Sequence, residues 1–240
     1  MSRSSPERIS ADLVKETNAA ILTLVEVGLA DRYNFATVQR RPGEIAVSAP
    51  VPTDSSVIKN RPYPEIYHSQ LKRDAFNILF LDGALVQIGY KFDDNQLLTH
   101  RLAYLPAPDL EPYQTDPAIY VQGVPYLEAV GHQVVAVPLR FDYDVRPGVA
   151  TEQHPASHLT LGQYKHCRIP VSGPVTPVAF LEFIVHNFYS VSEAPRTSLS
   201  ASSSTSFERN IADSSIALSH LVVPTGGVSY PGRSELPRIV

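Results

Sequence analysis

Residues 134–144 read VVAVPLRFDYD, residues 154–170 read HPASHLTLGQYKHCRIP, and residues 176–189 read TPVAFLEFIVHNFY. The first run alternates. Val135, Val137, Leu139, Phe141 and Tyr143 share one parity, and Arg140, Asp142 and Asp144 share the other. Alternation of this kind describes a strand with one core face and one polar face. Pro138 within the run argues for an edge position or a bulge. In HLTL the same rule sets His158 with Thr160 against Leu159 with Leu161. Thr176-Pro177 then starts a helix. The threonine accepts from a free backbone N–H, and the proline sits where no N–H is needed. Phe180, Ile184 and Phe188 form its apolar stripe.

Upstream, AFNILFL, ALVQIGYKF and QLLTHRLAYLP are three apolar runs separated by Asp82-Gly83 and Asp93-Asp94-Asn95. They read as a meander whose Asp-Gly hairpin has both turn residues at positive φ. Residues 9–29 repeat apolar side chains at helical spacing, with Ser5 or Ser10 as cap and Gly28 as the stop. Residues 44–48 form a short strand, 49–64 a loop, and 64–73 a short helix. Residues 107–125, with Pro108, Pro112, Pro117 and Pro125, form a second loop. The expected fold is therefore α+β: an antiparallel sheet of about five to seven strands with helices packed on one face. Residues 1–190 make one domain, 191–206 a Ser-rich linker and 207–224 a docked C-terminal element. Phe207, Ile211, Leu218 and Leu221 lie on a helix in that element, and 225–240 is a flexible tail.

Composition narrows the function. The 240 residues are 43% hydrophobic, enough for one sizeable core. With 20 basic and 24 acidic residues the net charge is −4, and charges within 134–189 balance. No overall basic surface marks the chain for tight non-specific nucleic-acid binding. One cysteine, Cys167, excludes an internal disulfide. The start, MSRSSPERIS, has no apolar leader core, and no run reaches the roughly 18 apolar residues of a span. A cytoplasmic protein with no membrane partner is expected.

The ionisable residues of 134–189 define the candidate chemistry. His154, His158 and His166 beside Cys167 raise the question of zinc, but their spacing fits no standard ligand set, so no metal and no cofactor are expected. Arg140, Asp142, His158 and Arg168 supply the types a metal-free phosphodiester site needs. Histidine moves protons near neutral pH, aspartate orients it, and arginines hold phosphate. His154 is a second proton-transfer candidate. The plainer alternative is an Arg140–Asp142 ion pair on a sheet face and a hydrogen-bonded His158. His100-Arg101 in the third meander strand is either a further contributor or a structural pair. Lys91, Asp93 and Asp94 read as a solvated turn, and His220 as the end of the last helix. Phosphate-loop, dinucleotide-fingerprint and nucleophile-elbow motifs are all missing.

The segments LDGALVQIGYKF, LLTHRLAYLPAP, LRFDYD, HPASHLTLG, CRIP and TPVAFLEFIVHNFY resemble the bacterial family named domain of unknown function 2290. The likeness runs over roughly 13–189, with a weaker echo at 207–224. It implies a shared fold and no activity. The order RFDYD, then HPASHLTLG, then a proline-started helix is also similar to TumE-like toxins of bacterial toxin–antitoxin pairs. Arg140 and Asp142 match that pattern's first element, and His158 with Gly162 the second. Ser157 stands where those toxins often carry another histidine, which departs from a two-histidine mechanism.

Two functions follow. One is a metal-independent nuclease-like effector of toxin–antitoxin or phage-defence type acting on RNA or DNA. Arg140 and Arg168 hold phosphate there, His158 is the acid or base, and Asp142 orients it. The other is a non-catalytic regulatory or scaffold subunit of a defence cassette, bound to a protein encoded by a neighbouring gene.

Overall fold

The meander forms where apolar runs alternate with turn residues. In the computed structural model, residues 5–51, 61–108, 137–151, 153–164, 166–189, 199 and 205–223 are described. β4 (Ile78–Phe80), β5 (Leu85–Phe92) and β6 (Leu97–Leu105) pair antiparallel in sequence order. The first hairpin differs in detail from the expected two-residue turn. Only Gly83 has positive φ, at 81°, and Asp82 does not. The Gly83 N–H donates to Phe80 O at 2.9 Å, and the Phe80 N–H to Ala84 O at 2.8 Å. This is a three-residue loop closed by a left-handed glycine. Asp82 contributes through its side chain, whose Oδ1 accepts from the Ala84 N–H at 3.0 Å. A Cβ at Gly83 would lie 3.0 Å from Ala107 Cβ. Gly83→Val is therefore expected to cost about 1–3 kcal/mol, because a β-branched residue is strained at this φ. Urea denaturation measures it, and an unchanged midpoint would mean that the turn adapts freely.

The sheet runs in the order β1-β4-β5-β6-β7-β8-β9, with all of these strands paired antiparallel. β1 spans Ala30–Tyr33, β7 Leu139–Asp144, β8 Ser157–Leu161 and β9 Ile169–Pro170. β3 (Glu44–Ser48) pairs with the far end of β5, and β2 (Thr37–Arg41) pairs with β3, which brings the sheet to nine strands. β1 and β2 read ADRY and TVQRR and are mostly exposed. With little apolar alternation, they are held by their backbone ladders. β7 lies in the interior of the sheet, between β6 and β8. Pro138 precedes its first residue, so the missing N–H breaks no ladder bond, and its carbonyl accepts from Gly162 N–H. The edge or bulge expected from Pro138 is not found for that reason. Residues 126–136 lie outside the described residues, as do 109–125 of the proline-rich loop and 52–60 of the earlier one.

Val86, Ile88 and Tyr90 of β5, Leu102 and Tyr104 of β6 and Phe141 of β7 point to one face. α1 (Pro6–Glu26) and α3 (Pro177–Phe188) cover it. α1 starts at Ser5, whose hydroxyl accepts from the Arg8 N–H, and buries Leu13, Ala20, Ile21 and Leu24. α3 starts as expected, with Thr176 Oγ1 accepting from Ala179 N–H at 3.3 Å, and buries Phe180, Leu181 and Ile184. α2 (Tyr63–Lys72) lies on the opposite face. There Tyr67 meets Leu85, Ala103 and Leu105. Further along that face, β6, β7 and β8 carry polar side chains.

The C-terminal segment docks without forming the expected helix. Leu199 is fully buried in the main core, and the Thr205 N–H donates to the Glu16 carboxylate at 2.6 Å. Only α4 (Asp213–Ile216) is helical between 205 and 223, and Leu218 is 56% exposed. Extended chain runs beside β9. Asn210 N–H donates to Ser172 O at 3.0 Å, Ser172 N–H to Leu221 O at 2.8 Å, and Leu221 N–H to Pro170 O at 2.9 Å. Phe207 stacks on Tyr90, with ring centres 6.2 Å apart. Backbone pairing has replaced the local helix that Phe207, Ile211, Leu218 and Leu221 suggested. Residues 191–198 and 200–204 of the linker and the tail 225–240 lie outside the described residues.

Candidate functional site

Strand register builds the site. Arg101 of β6, Asp142 of β7 and His158 of β8 are direct cross-strand partners and form a row on the polar face. Arg140 lies two residues from Asp142 along β7, opposite Thr160. Side chains so placed are close enough to interact directly.

Asp142 is the hub. Its Oδ1 accepts from Arg101 Nε–H at 2.9 Å, and its Oδ2 accepts from Arg140 Nε–H. Burial pushes the carboxyl upward, but the Arg101 and Arg140 guanidiniums outweigh it and hold it below the usual range. Burial also lowers the Arg140 guanidinium, against the pull of Asp142.

His158 is 3% exposed. Its Nδ1 lies 2.8 Å from Pro155 O, and a carbonyl only accepts, so Nδ1 carries the proton. Burial drives the imidazole down to about 4. At neutral pH the ring is uncharged, with Nε2 on the Asp142 side. Nε2 lies 3.8 Å from Asp142 Oδ2, beyond hydrogen-bond range. The expectation that Asp142 orients His158 is thus corrected, because the Pro155 carbonyl does so. The half-buried His154 ring meets His158 edge to face at 4.8 Å. Arg168 immediately precedes β9 and donates from Nη1 to Cys167 O at 2.9 Å. Its charge is near enough to weigh on both Arg140 and His158.

Arg140, Asp142 and His158 therefore converge, with His154 against His158 and Arg168 at the margin. Arg101 is the member that sequence reasoning left undecided. Its neighbour His100 faces the core, where Nε2 accepts from Val175 N–H at 3.0 Å and burial drives the ring down to about 3. Choosing between the two requires the β6–β7 register. Three arginines against one aspartate leave a surplus of two positive charges, within a chain of net charge −4.

The remaining candidates stand apart. Cys167 Sγ accepts from Leu161 N–H at 3.3 Å. Among the described residues, no three His, Cys, Asp or Glu side chains are grouped to hold a metal ion. Lys91 lies within β5 rather than in a turn and pairs with Glu44 at 3.1 Å, and Asp93 Oδ1 caps the turn by accepting from Asn95 and Gln96 N–H. His220 lies in extended chain past α4 and not at the end of a long helix.

The family described as Uncharacterized conserved protein (DUF2290) matches residues 29–223. The chain belongs to this family. All the strands and every residue of the Asp142 cluster fall within the DUF2290 match, whereas α1 precedes it. No curated protein and no solved structure matches the chain. Kinship with DUF2290 proteins carries no activity with it, so function must be argued from the site. Among the described residues, no helix is long and apolar enough to cross a membrane.

Proposed function

We propose that the protein is a metal-independent nuclease-like effector, of toxin–antitoxin or phage-defence type, that cleaves a phosphodiester at the Asp142 cluster. One observation carries this reading: a neutral histidine, its Nε2 without a hydrogen bond, shares a sheet face with Asp142 and the two arginines bound to it, with the charge of Arg168 at the margin. The arginines neutralise the phosphate and the charge that builds up on it. His158 Nε2 takes the proton of the attacking hydroxyl as its oxygen bonds to phosphorus. The bond to the leaving oxygen breaks, and that oxygen gains a proton from water or from His154 acting as the acid. A base held near 4 is weak, and a bound phosphate anion raises it by favouring the imidazolium.

The full chain, incubated in EDTA with labelled RNA and DNA, is expected to cut one of them. His158→Ala is expected to slow cleavage about 10²–10⁴-fold, the usual contribution of a general acid or base. Cleavage that needs added metal, or survives in the variant, would sink the proposal.

A second reading is a non-catalytic regulatory or scaffold subunit that binds a neighbouring gene's product. Two facts favour it: His158 is nearly inaccessible, and both Asp142 oxygens are already engaged by arginines. On this reading no nucleic acid is cut. His158→Ala then costs about 1–3 kcal/mol through its unpaired partner, and Arg140→Ala releases the protein partner.

A further inference from the structure

Asp144 and Asp142, two residues apart on β7, bind arginine in different ways. Arg146 gives Asp144 a full fork, with Nε–H to Oδ1 at 2.9 Å and Nη2–H to Oδ2 at 2.6 Å. That is the geometry of an arginine paired for its own sake. Arg101 and Arg140 each give Asp142 only Nε, one to each oxygen. Their Nη groups form no hydrogen bond with a described residue, and Arg101 Nη1 is buried in that state. Thr160, opposite Arg140 on the same face, is 5% exposed, and its Oγ1 also has no hydrogen-bond partner among the described residues. A buried polar group left unpaired costs about 1–3 kcal/mol. Two such groups flanking a doubly bound carboxylate describe a site set for a ligand with several acceptor oxygens.

We infer that Arg101 and Arg140 are the two prongs of a clamp for a dianionic phosphate monoester, with Asp142 as the positioning residue and Thr160 as a further donor. The inference rests on reading this cluster as a phosphate site, and it narrows the substrate. A carboxylate offers two oxygens, whereas a terminal phosphate offers three, to two prongs and the Thr160 hydroxyl. The surplus of two positive charges matches the roughly −1.5 to −2 of a monoester at neutral pH better than the single charge of a diester. Arg101 and His158 lie on strands two apart, about 10 Å between backbones. A terminal phosphate on the Arg101 side leaves the next internucleotide phosphate on the His158 side.

Calorimetric titration of the full chain in EDTA tests the clamp. The probes are inorganic phosphate and matched oligonucleotides with a 5′-phosphate or a 5′-hydroxyl. Wild type is expected to bind phosphate. Arg101→Lys keeps the charge but loses the second donor edge, and is expected to weaken binding at least about 10-fold. Asp142→Asn is expected to weaken it as well, although it makes the site more positive, because the prongs lose their anchor. No phosphate binding by wild type, unchanged binding in Arg101→Lys, or tighter binding in Asp142→Asn would each overturn the clamp. Thermal melts verify folding, and if Asp142→Asn does not fold, Arg101→Lys decides alone. Preference for the 5′-phosphorylated strand identifies a nucleic-acid end as the source of the monoester. Phosphate binding without that preference keeps the clamp and points to a small monoester, and the cleavage assay decides the nuclease reading separately. Cleavage indifferent to Arg101→Lys keeps the nuclease reading and removes the clamp.

Discussion

Replacing Asp142 by alanine is expected to destabilise the domain by about 3–5 kcal/mol, as when one partner is removed from a buried ion pair. The carboxylate side chain is 12% exposed, and the side chains of Arg140 and Arg101 are 17% and 27% exposed. Without it, two guanidiniums on adjacent strands face each other with no counter-charge between them. Against a typical total of about 5–15 kcal/mol, that loss is large. It also depends on pH in a defined direction. Arg101 and Arg140 overcome burial and hold the folded carboxyl below its unfolded value of about 3.9. The stabilisation is therefore complete above that value and is lost as pH falls through the lower, folded one. Urea denaturation of wild type and variant should show a wide gap at neutral pH that narrows below about pH 4. A gap under about 1 kcal/mol, or one that stays constant into acid, would mean that solvent screens the cluster.

Ending the chain after Tyr189 is the second large perturbation. Leu199 and Val223 are buried in the main core and Phe207 packs against it. Losing the two buried side chains removes about 3–6 kcal/mol, at about 1.5–3 kcal/mol each. The backbone bonds to Pro170 and Ser172 and the bond to Glu16 go with them. The fragment is expected to be insoluble or to unfold without a cooperative transition. A fragment that melts cooperatively within a few degrees of the full chain would show that the C-terminal segment only decorates the core.

Legibility in the sequence followed the range of the forces involved. The polar parity of Arg140 and Asp142, the His158–Thr160 pair and the Thr176-Pro177 start are local consequences of strand pleat and helix capping. They could be read residue by residue. β1 and β2 could not, because ADRY and TVQRR owe their shape to partner strands. Arg101 required the register between β6 and β7, a long-range fact absent from either segment. The orientation of His158 by Pro155 depends on a loop conformation that no periodicity reports. The misread C-terminal helix shows tertiary pairing overriding a local pattern. A helix of that length is marginal alone, and carbonyls and amides near Ser172 were available to hold an extended chain.

The bond from Thr205 to Glu16 joins residues 189 apart. Glu16 lies in α1 and leaves the ribosome well before this partner does. Widening a loop adds only slowly to its closure entropy, so the consequence concerns timing more than energy. While residue 205 is still in the ribosome, the buried carboxylate lacks that amide, and the slot for Leu199 stands open to water. The domain can complete its fold only once Leu199, Thr205 and Val223 have emerged. Until then the nascent chain displays an unfinished apolar surface, which a chaperone or a cognate binding protein can meet first.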